Sequence, residues 1–425
     1  MNAKIVLFLL ILLPGILKAQ ATFEKYFLEK TLRFDYYHCG NQNEETYFFD
    51  ELKEEPYWAG SKVSLLDTTG YGVQMFKIID LASNKVIYSR SFCTLFNEWQ
   101  TTEEAGQIHK AFPESVVFPF PKAPVRIELY ARNKKGHFEK KMEQRIDPSS
   151  CFIRKFSPLY ETQEIAYTGN PAQRVDLALI PEGYSANEKE KFLEACRNFV
   201  KEFFSYSPYK ENRHRFNVRA VWAPSLESGV TLPGEHVWRN TAAKAQFYTF
   251  GSERYQMIED FQGLRDIAAH VPYDHIYVLS NTQKYGGGGI YNFYGISAAH
   301  HPTSTGKIYV HEFGHVLLGL GDEYTGDAAY SDMYSLKTEP WEANLTTLTD
   351  FGRKEWKKMI DKSTPVPTPC TEEYKNKIGV FEGGGYVNKG VYRPCQTCLM
   401  REFSTNDFCP VCKRAILKQI DFLCR

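Results

Sequence analysis

The residues of this chain best spaced for chemistry are His311-Glu312-Phe313-Gly314-His315. In an α-helix, side chains four positions apart differ by about 40° in direction and about 6 Å in height, so two imidazoles at this spacing can grip one ion from the same side. Glu312 would project beside the metal, where a carboxylate can take a proton from water without filling a coordination position. Beyond His315 the chain reads Val316-Leu317-Leu318 and then Gly319-Leu320-Gly321-Asp322-Glu323-Tyr324. A straight helix would carry Asp322 about 10 Å up the axis from His315, out of reach of the same ion. Glycines at 319 and 321 permit a sharp reversal, which nominates Asp322 as the third ligand and Glu323 as its rival. Three protein ligands with a fourth position left to water distinguish a catalytic zinc from a structural one.

A helix capped by Ser304 or Thr305 and running to about Leu318 must carry the pentad. The segments before it alternate between strand and helix signals. Val175 to Ile180 is a nearly continuous apolar run, followed by an amphipathic helix from about Ala186 to Phe204 and strands at Phe216 to Ala223, Tyr273 to Ser280 and Ile290 to Ala298. Phe408 to Phe422 closes the chain as a helix. This alternation predicts an α/β domain with a mixed, mostly parallel sheet over residues 151–425. Gly286 to Gly289 is no phosphate cradle, because no Lys-Ser/Thr pair follows; it suits an irregular lead into an edge strand that could hold an extended peptide. His300 and His301 read as loop histidines rather than ligands.

The first half has a different texture. Short runs at Lys62 to Leu66, Gly72 to Asp80, Lys85 to Phe92, Val116 to Phe120 and Val125 to Arg132, separated by turn residues, predict an all-β sandwich over residues 22–150. Residues 1–21 combine Lys4, an apolar run from Ile5 to Leu17 and small residues at Ala19 and Ala21, the pattern of a cleaved export signal. That run is shorter than the roughly 20 residues of a spanning helix, so no transmembrane anchor is expected and the protein is expected to be periplasmic or extracellular. With 51 basic and 51 acidic residues in 425, the chain lacks the cationic excess that nucleic-acid binding requires. Its 43% hydrophobic content can fill two or three cores. Five of ten cysteines lie at Cys395, Cys398, Cys409, Cys412 and Cys424. The paired Cys-x-x-Cys spacing is that of a structural zinc ribbon, but behind an export signal disulfides are the favoured expectation.

The segments HEFGHVLLGLGDEY, FEGGGYVNKGVYRPCQTCLMREF and GGGGIYNFYGISAAH resemble the zinc metallopeptidases of the IgA-peptidase type, peptidase family sixty-four, a metzincin-like group. The resemblance runs from about Val175 to the C-terminus and more weakly through the β-rich half, and members of the group often carry an all-β domain before the catalytic one. It implies one catalytic Zn2+ held by His311, His315 and Asp322, with Glu312 as general base. Cys398-Leu399-Met400 resembles the Met-turn of metzincins, which would make Met400 a hydrophobic floor. The metzincin spacing would place Gly seven and His or Asp ten residues after the first His, where this chain has Leu318 and Gly321. Some metzincins place a tyrosine two residues after the Met, where this chain has Glu402, so a switching tyrosine ligand is not expected; Tyr324 reads as a packed ring, with contact to a reacting carbonyl as the lesser alternative.

The expected function is therefore an exported zinc metalloendopeptidase acting on a protein or peptide substrate. An alternative is a catalytically inactive exported module that binds a glycan or protein through its N-terminal domain on a peptidase-like scaffold. An exopeptidase would need a group that anchors a substrate terminus, for which Glu323 is the candidate.

Overall fold

The computed structural model describes residues 23–303, 305–326 and 333–425, so the expected export signal at 1–21 and the expected cap at Ser304 lie outside the described residues. The N-terminal half contains β1 (Phe27–Gly40), β2 (Glu45–Glu55), β3 (Gln74–Asp80), β4 (Lys85–Phe92), β5 (Lys110–Pro121), β6 (Val125–Arg132) and β7 (Phe138–Ile146). They form two antiparallel sheets, ordered β2-β1-β5 and β4-β3-β6-β7. Alternate residues of β1, Leu32, Phe34 and Tyr36, share one buried core with Phe76 and Ile78 of β3 and Ile127 and Leu129 of β6. The period of two puts every second side chain inward, which is why these segments read as strands. Lys62 to Leu66 is not one. The Ser61 hydroxyl accepts bonds from the backbone N–H of Val63 and Ser64, a local turn that competes with strand pairing.

The short helix α1 (Leu95–Trp99) leaves the sandwich and buries Leu95, Phe96 and Trp99 in a second core with Ile180, Phe261 and Ile296. The two halves are further joined where Asp266 meets Arg33 at 2.6 Å and Lys53 at 3.0 Å, and where Cys93 N–H donates to Tyr291 O at 2.9 Å.

The C-terminal half is built on one mixed sheet. Its strands are β8 (Glu161–Ala166), β9 (Val175–Glu182), β10 (Phe216–Trp222), β11 (His275–Ser280), β12 (Gly287–Gly289) and β13 (Gly295–Ala298), ordered β12-β13-β11-β9-β10-β8. The four central strands are parallel and both edge strands antiparallel. Helix α2 (Lys189–Phe203) follows a Ser185–Glu188 capping box, and α3 (Phe261–Ala268) is capped by Asp260. Helix α4 (Thr305–Leu318) carries the pentad. Thr305 is already helical, and its hydroxyl donates to His301 O at 2.5 Å. The buried face of α4 packs Tyr309 on Phe199 and Phe313 on Phe203, at 4.7 and 5.1 Å between rings. A hairpin of β14 (Phe381–Gly384) and β15 (Val387–Arg393) and the helix α5 (Pro410–Leu423) complete the chain. Among the described residues no helix is long and apolar enough to cross a membrane.

The glycine run differs from expectation. Gly287–Gly289 is itself the edge strand, and Ile290 to Tyr294 is the hairpin loop that joins it to β13. A Cβ on Gly289 would lie 2.4 Å from Glu312 O, so only a bare backbone lets this strand lie against the pentad helix. The outer side of the edge is partly taken, since Gly287 N–H donates to Arg254 O at 3.3 Å.

Two stability measurements follow. Gly289→Ala forces backbone apart and is expected to lower unfolding free energy by about 1–3 kcal/mol in a denaturant titration, whereas Gly352→Ala, whose nearest neighbour would be 3.7 Å away, should be near neutral. Glu182, at the end of β9, is held at about 8 by burial, with only Oε2 bonded, to Ala243 N–H. The unfolded carboxyl ionises near 4.5 while the folded one keeps its proton, so this group's contribution falls as pH rises from 4.5 to about 8 and is constant above it. Glu182→Gln should flatten that slope in urea midpoints measured across pH.

Candidate metal centre

Helix α4 presents His311 and His315 on one face, and the backbone fixes both rings. His311 Nδ1 donates to Leu399 O at 2.9 Å and His315 Nδ1 donates to Leu320 O at 2.5 Å. A carbonyl can only accept, so each Nδ1 carries the proton and, in the neutral ring, each Nε2 is left with a lone pair. These two nitrogens face each other 3.3 Å apart. The reversal that supplies Leu320 O begins at Gly319, whose φ of 64° is open to glycine and whose Cβ would strike the Trp341 ring at 2.2 Å.

The same reversal brings Asp322 back. Its Oδ1 lies 3.1 Å from His311 Nε2 and 3.5 Å from His315 Nε2, while Tyr386 OH donates to Oδ2 at 2.6 Å. Oδ1 is buried with no hydrogen-bond partner among the described residues. With both rings neutral, three electron-rich atoms therefore converge with no donor between them. Tetrahedral zinc with bonds of about 2.0–2.1 Å requires ligand atoms about 3.3–3.4 Å apart, against 3.1, 3.3 and 3.5 Å here. The residues present fit a divalent ion.

Electrostatics agree. Burial disfavours a charged His315, yet the Asp322 carboxylate outweighs it and pushes the imidazole up to about 9. Burial would also raise Asp322, but His315 and His311 hold it far below the usual carboxylate range. The cluster thus demands positive charge. Glu312 presents a carboxylate oxygen within 4.8 Å of both imidazole donor atoms, and burial raises its pKa against the pull of His311 and His315.

Glu323 is placed elsewhere. It bonds Asn344 Nδ2 at 2.9 Å and lies 3.3 Å from Cys412 Sγ, beside Cys398 and Cys409 rather than the histidines. Tyr324 lines the same cleft as the pentad and packs edge-on against Tyr386 at 5.3 Å. Met400 is fully buried under α4, with its sulfur 3.1 Å from where a Gly314 Cβ would be, and Met400 O accepts from Glu323 N–H at 2.8 Å. His300 bonds Tyr184 OH at 2.9 Å, away from the pentad. Sequence reasoning missed Tyr386, which is 64 positions from its partner. It also missed Glu98, which α1 brings into the cleft, where burial raises its pKa to about 7 and Tyr255 donates to it. The cleft has a volume of about 740 Å³ and is lined from both halves of the chain.

Both halves also carry the signature of a peptidase. The profile of the family described as IgA Peptidase M64 matches residues 163–377 and 370–420, and that of the Peptidase M64 N-terminus matches residues 22–143. The chain belongs to this peptidase family. No curated protein matches it. Membership supports peptide-bond hydrolysis as the activity, a peptide or protein as the substrate and a metal at the site.

Asp322→Asn keeps the size of the side chain but removes the charge that the two Nε2 atoms face. It is expected to weaken metal affinity at least about 10-fold, and Tyr386→Phe by less, in competition titrations with a chromophoric chelator.

Proposed function

We propose that the protein is an exported zinc metalloendopeptidase with a metzincin-like catalytic half, in which His311, His315 and Asp322 hold the ion and Glu312 is the general base. The observation that carries this reading is the convergence of two lone-pair nitrogens and an unpartnered carboxylate oxygen at tetrahedral ligand spacing, with a second acid, Glu312, beside them. Zinc in such a tripod lowers the pKa of a water to about 7 and polarises a carbonyl.

The chain's own residues do the rest. Glu312, with its pKa raised by burial, is poised to accept the proton of the attacking water and hand it to the leaving amine. Leu399 O and Leu320 O hold the imidazoles in the tautomer that leaves Nε2 free to ligate. Tyr386 OH donates to the second Asp322 oxygen and fixes the carboxylate's direction. A cleft of about 740 Å³ extends beyond the tripod to Arg132 and Trp341, and this length favours internal bonds of a chain over its ends. The export segment at residues 1–21, the sandwich at 22–150 and the catalytic half at 151–425 are part of the same proposal.

The test is Glu312→Gln. Cleavage of an unfolded protein substrate should fall by about 10²–10⁴-fold while bound zinc per chain is unchanged. Wild-type cleavage by that variant would remove the general-base role, and zinc-saturated wild-type protein that cleaves nothing in a broad peptide library would favour a binding module.

A further inference from the structure

A second group of donors lies on the other side of the segment that carries Asp322. Sulfur atoms of Cys398, Cys409 and Cys412 and a carboxylate oxygen of Glu323 all lie within 4.8 Å of one another, and all four residues are buried. Asp322 and Glu323 are adjacent, yet Asp322 lies at the histidines and Glu323 at the sulfurs. We propose that Cys398, Cys409, Cys412 and Glu323 form a second metal site, structural in role and suited to zinc, distinct from the His311–His315–Asp322 centre.

The geometry is that of ligands rather than of a disulfide. All ten cysteines are free thiols, in contrast to the disulfides expected behind an export signal. Cys398 Sγ and Cys412 Sγ are 3.8 Å apart, and zinc–sulfur bonds of about 2.3 Å at the tetrahedral angle set two sulfurs about 3.8 Å apart. Cys412 Sγ to Glu323 Oε1 is 3.3 Å, against about 3.6 Å for a sulfur and an oxygen on one zinc. Two backbone amides point at the sulfurs: Cys409 N–H reaches Cys398 Sγ at 3.2 Å and Cys412 N–H reaches Cys409 Sγ at 3.5 Å. Amides so placed hydrogen-bond the sulfurs of a metal-bound cluster and fix their direction.

Glu323 supplies an independent sign. It is fully buried, and its Oε2 has no hydrogen-bond partner among the described residues although Oε1 is bonded to Asn344. An uncompensated carboxylate oxygen in a dry pocket is costly. A disulfide between any two of the sulfurs would leave the buried carboxylate without a counter-charge and one thiol unpaired, whereas a divalent cation beside the carboxylate takes all three sulfurs and an oxygen at once. Three thiolates with one carboxylate form a closed set of four, which suits a structural ion more than a catalytic one.

The position explains what the ion would do. Leu399, whose carbonyl orients His311, follows Cys398 directly, and Met400 O bonds the N–H of Glu323. Fixing Cys398 and Glu323 to one ion therefore fixes the backbone that aims His311 and Asp322.

The experiment uses the full-length protein. Cobalt-substituted wild type is expected to show a thiolate-to-cobalt charge-transfer band in the near ultraviolet, with two metal equivalents per chain by elemental analysis. His311→Ala should keep the band and lose one equivalent, while Cys412→Ser should lose the band and the other equivalent. Glu323→Gln should weaken the second site at least 10-fold, and Cys395→Ser should leave it intact. Folding of the variants is bypassed by mapping thiols in wild type: unfolded in chelator without reductant, Cys398, Cys409 and Cys412 should all alkylate. A disulfide linking any of these three, or one metal equivalent with no charge-transfer band, overturns the site. Loss of metal in Cys395→Ser but not in Glu323→Gln overturns the donor set. None of these outcomes depends on peptide cleavage.

Discussion

Two neutral imidazole nitrogens and one carboxylate oxygen that all point electron pairs at the same spot repel one another unless a proton or a metal ion sits among them. That constraint organises the C-terminal half. The rings cannot turn away, because Leu399 O and Leu320 O hold their other nitrogens, and Asp322 cannot swing out while Tyr386 holds its second oxygen. Each restraint comes from a different part of the chain, so the cluster is pre-formed by the fold rather than gathered by the ion.

The surrounding architecture serves the same end. A strand of glycines lets the sheet edge lie against α4 where any side chain would push it off, and the reversal at Gly319 turns the chain back so that Asp322 meets the two histidines. The β-rich half is not a detached appendage. Its α1 helix is buried in the core of the C-terminal half and brings Glu98 into the cleft, so the site is shaped by residues from both ends of the chain.

Much of this was readable from residue order. Histidines four apart on a helix have only one relative direction, so the face they share follows from the period alone. The two glycines after the helix announced a reversal, but not which of two neighbouring acids it would deliver. Asp322 and Glu323 are chemically alike and are told apart by tertiary contacts, Asp322 O taking the Gly385 N–H and Glu323 N–H donating to Met400 O. Tyr386 left no local trace, since its role depends on a hairpin folded against the loop. The glycine strand was misread because its reason for existing, the carbonyl of Glu312, is a tertiary neighbour. Lys62 to Leu66 carries strand composition but loses its backbone donors to Ser61. An exported compartment favours disulfides, but it says nothing about a carboxylate buried among the sulfurs.

The most direct measurement is anomalous diffraction at the zinc edge from crystals of the full-length protein grown with zinc. A peak about 2.0–2.2 Å from His311 Nε2, His315 Nε2 and Asp322 Oδ1 is the predicted result. A zinc-saturated crystal with no peak among those three atoms, or with the two rings turned apart, would contradict the account.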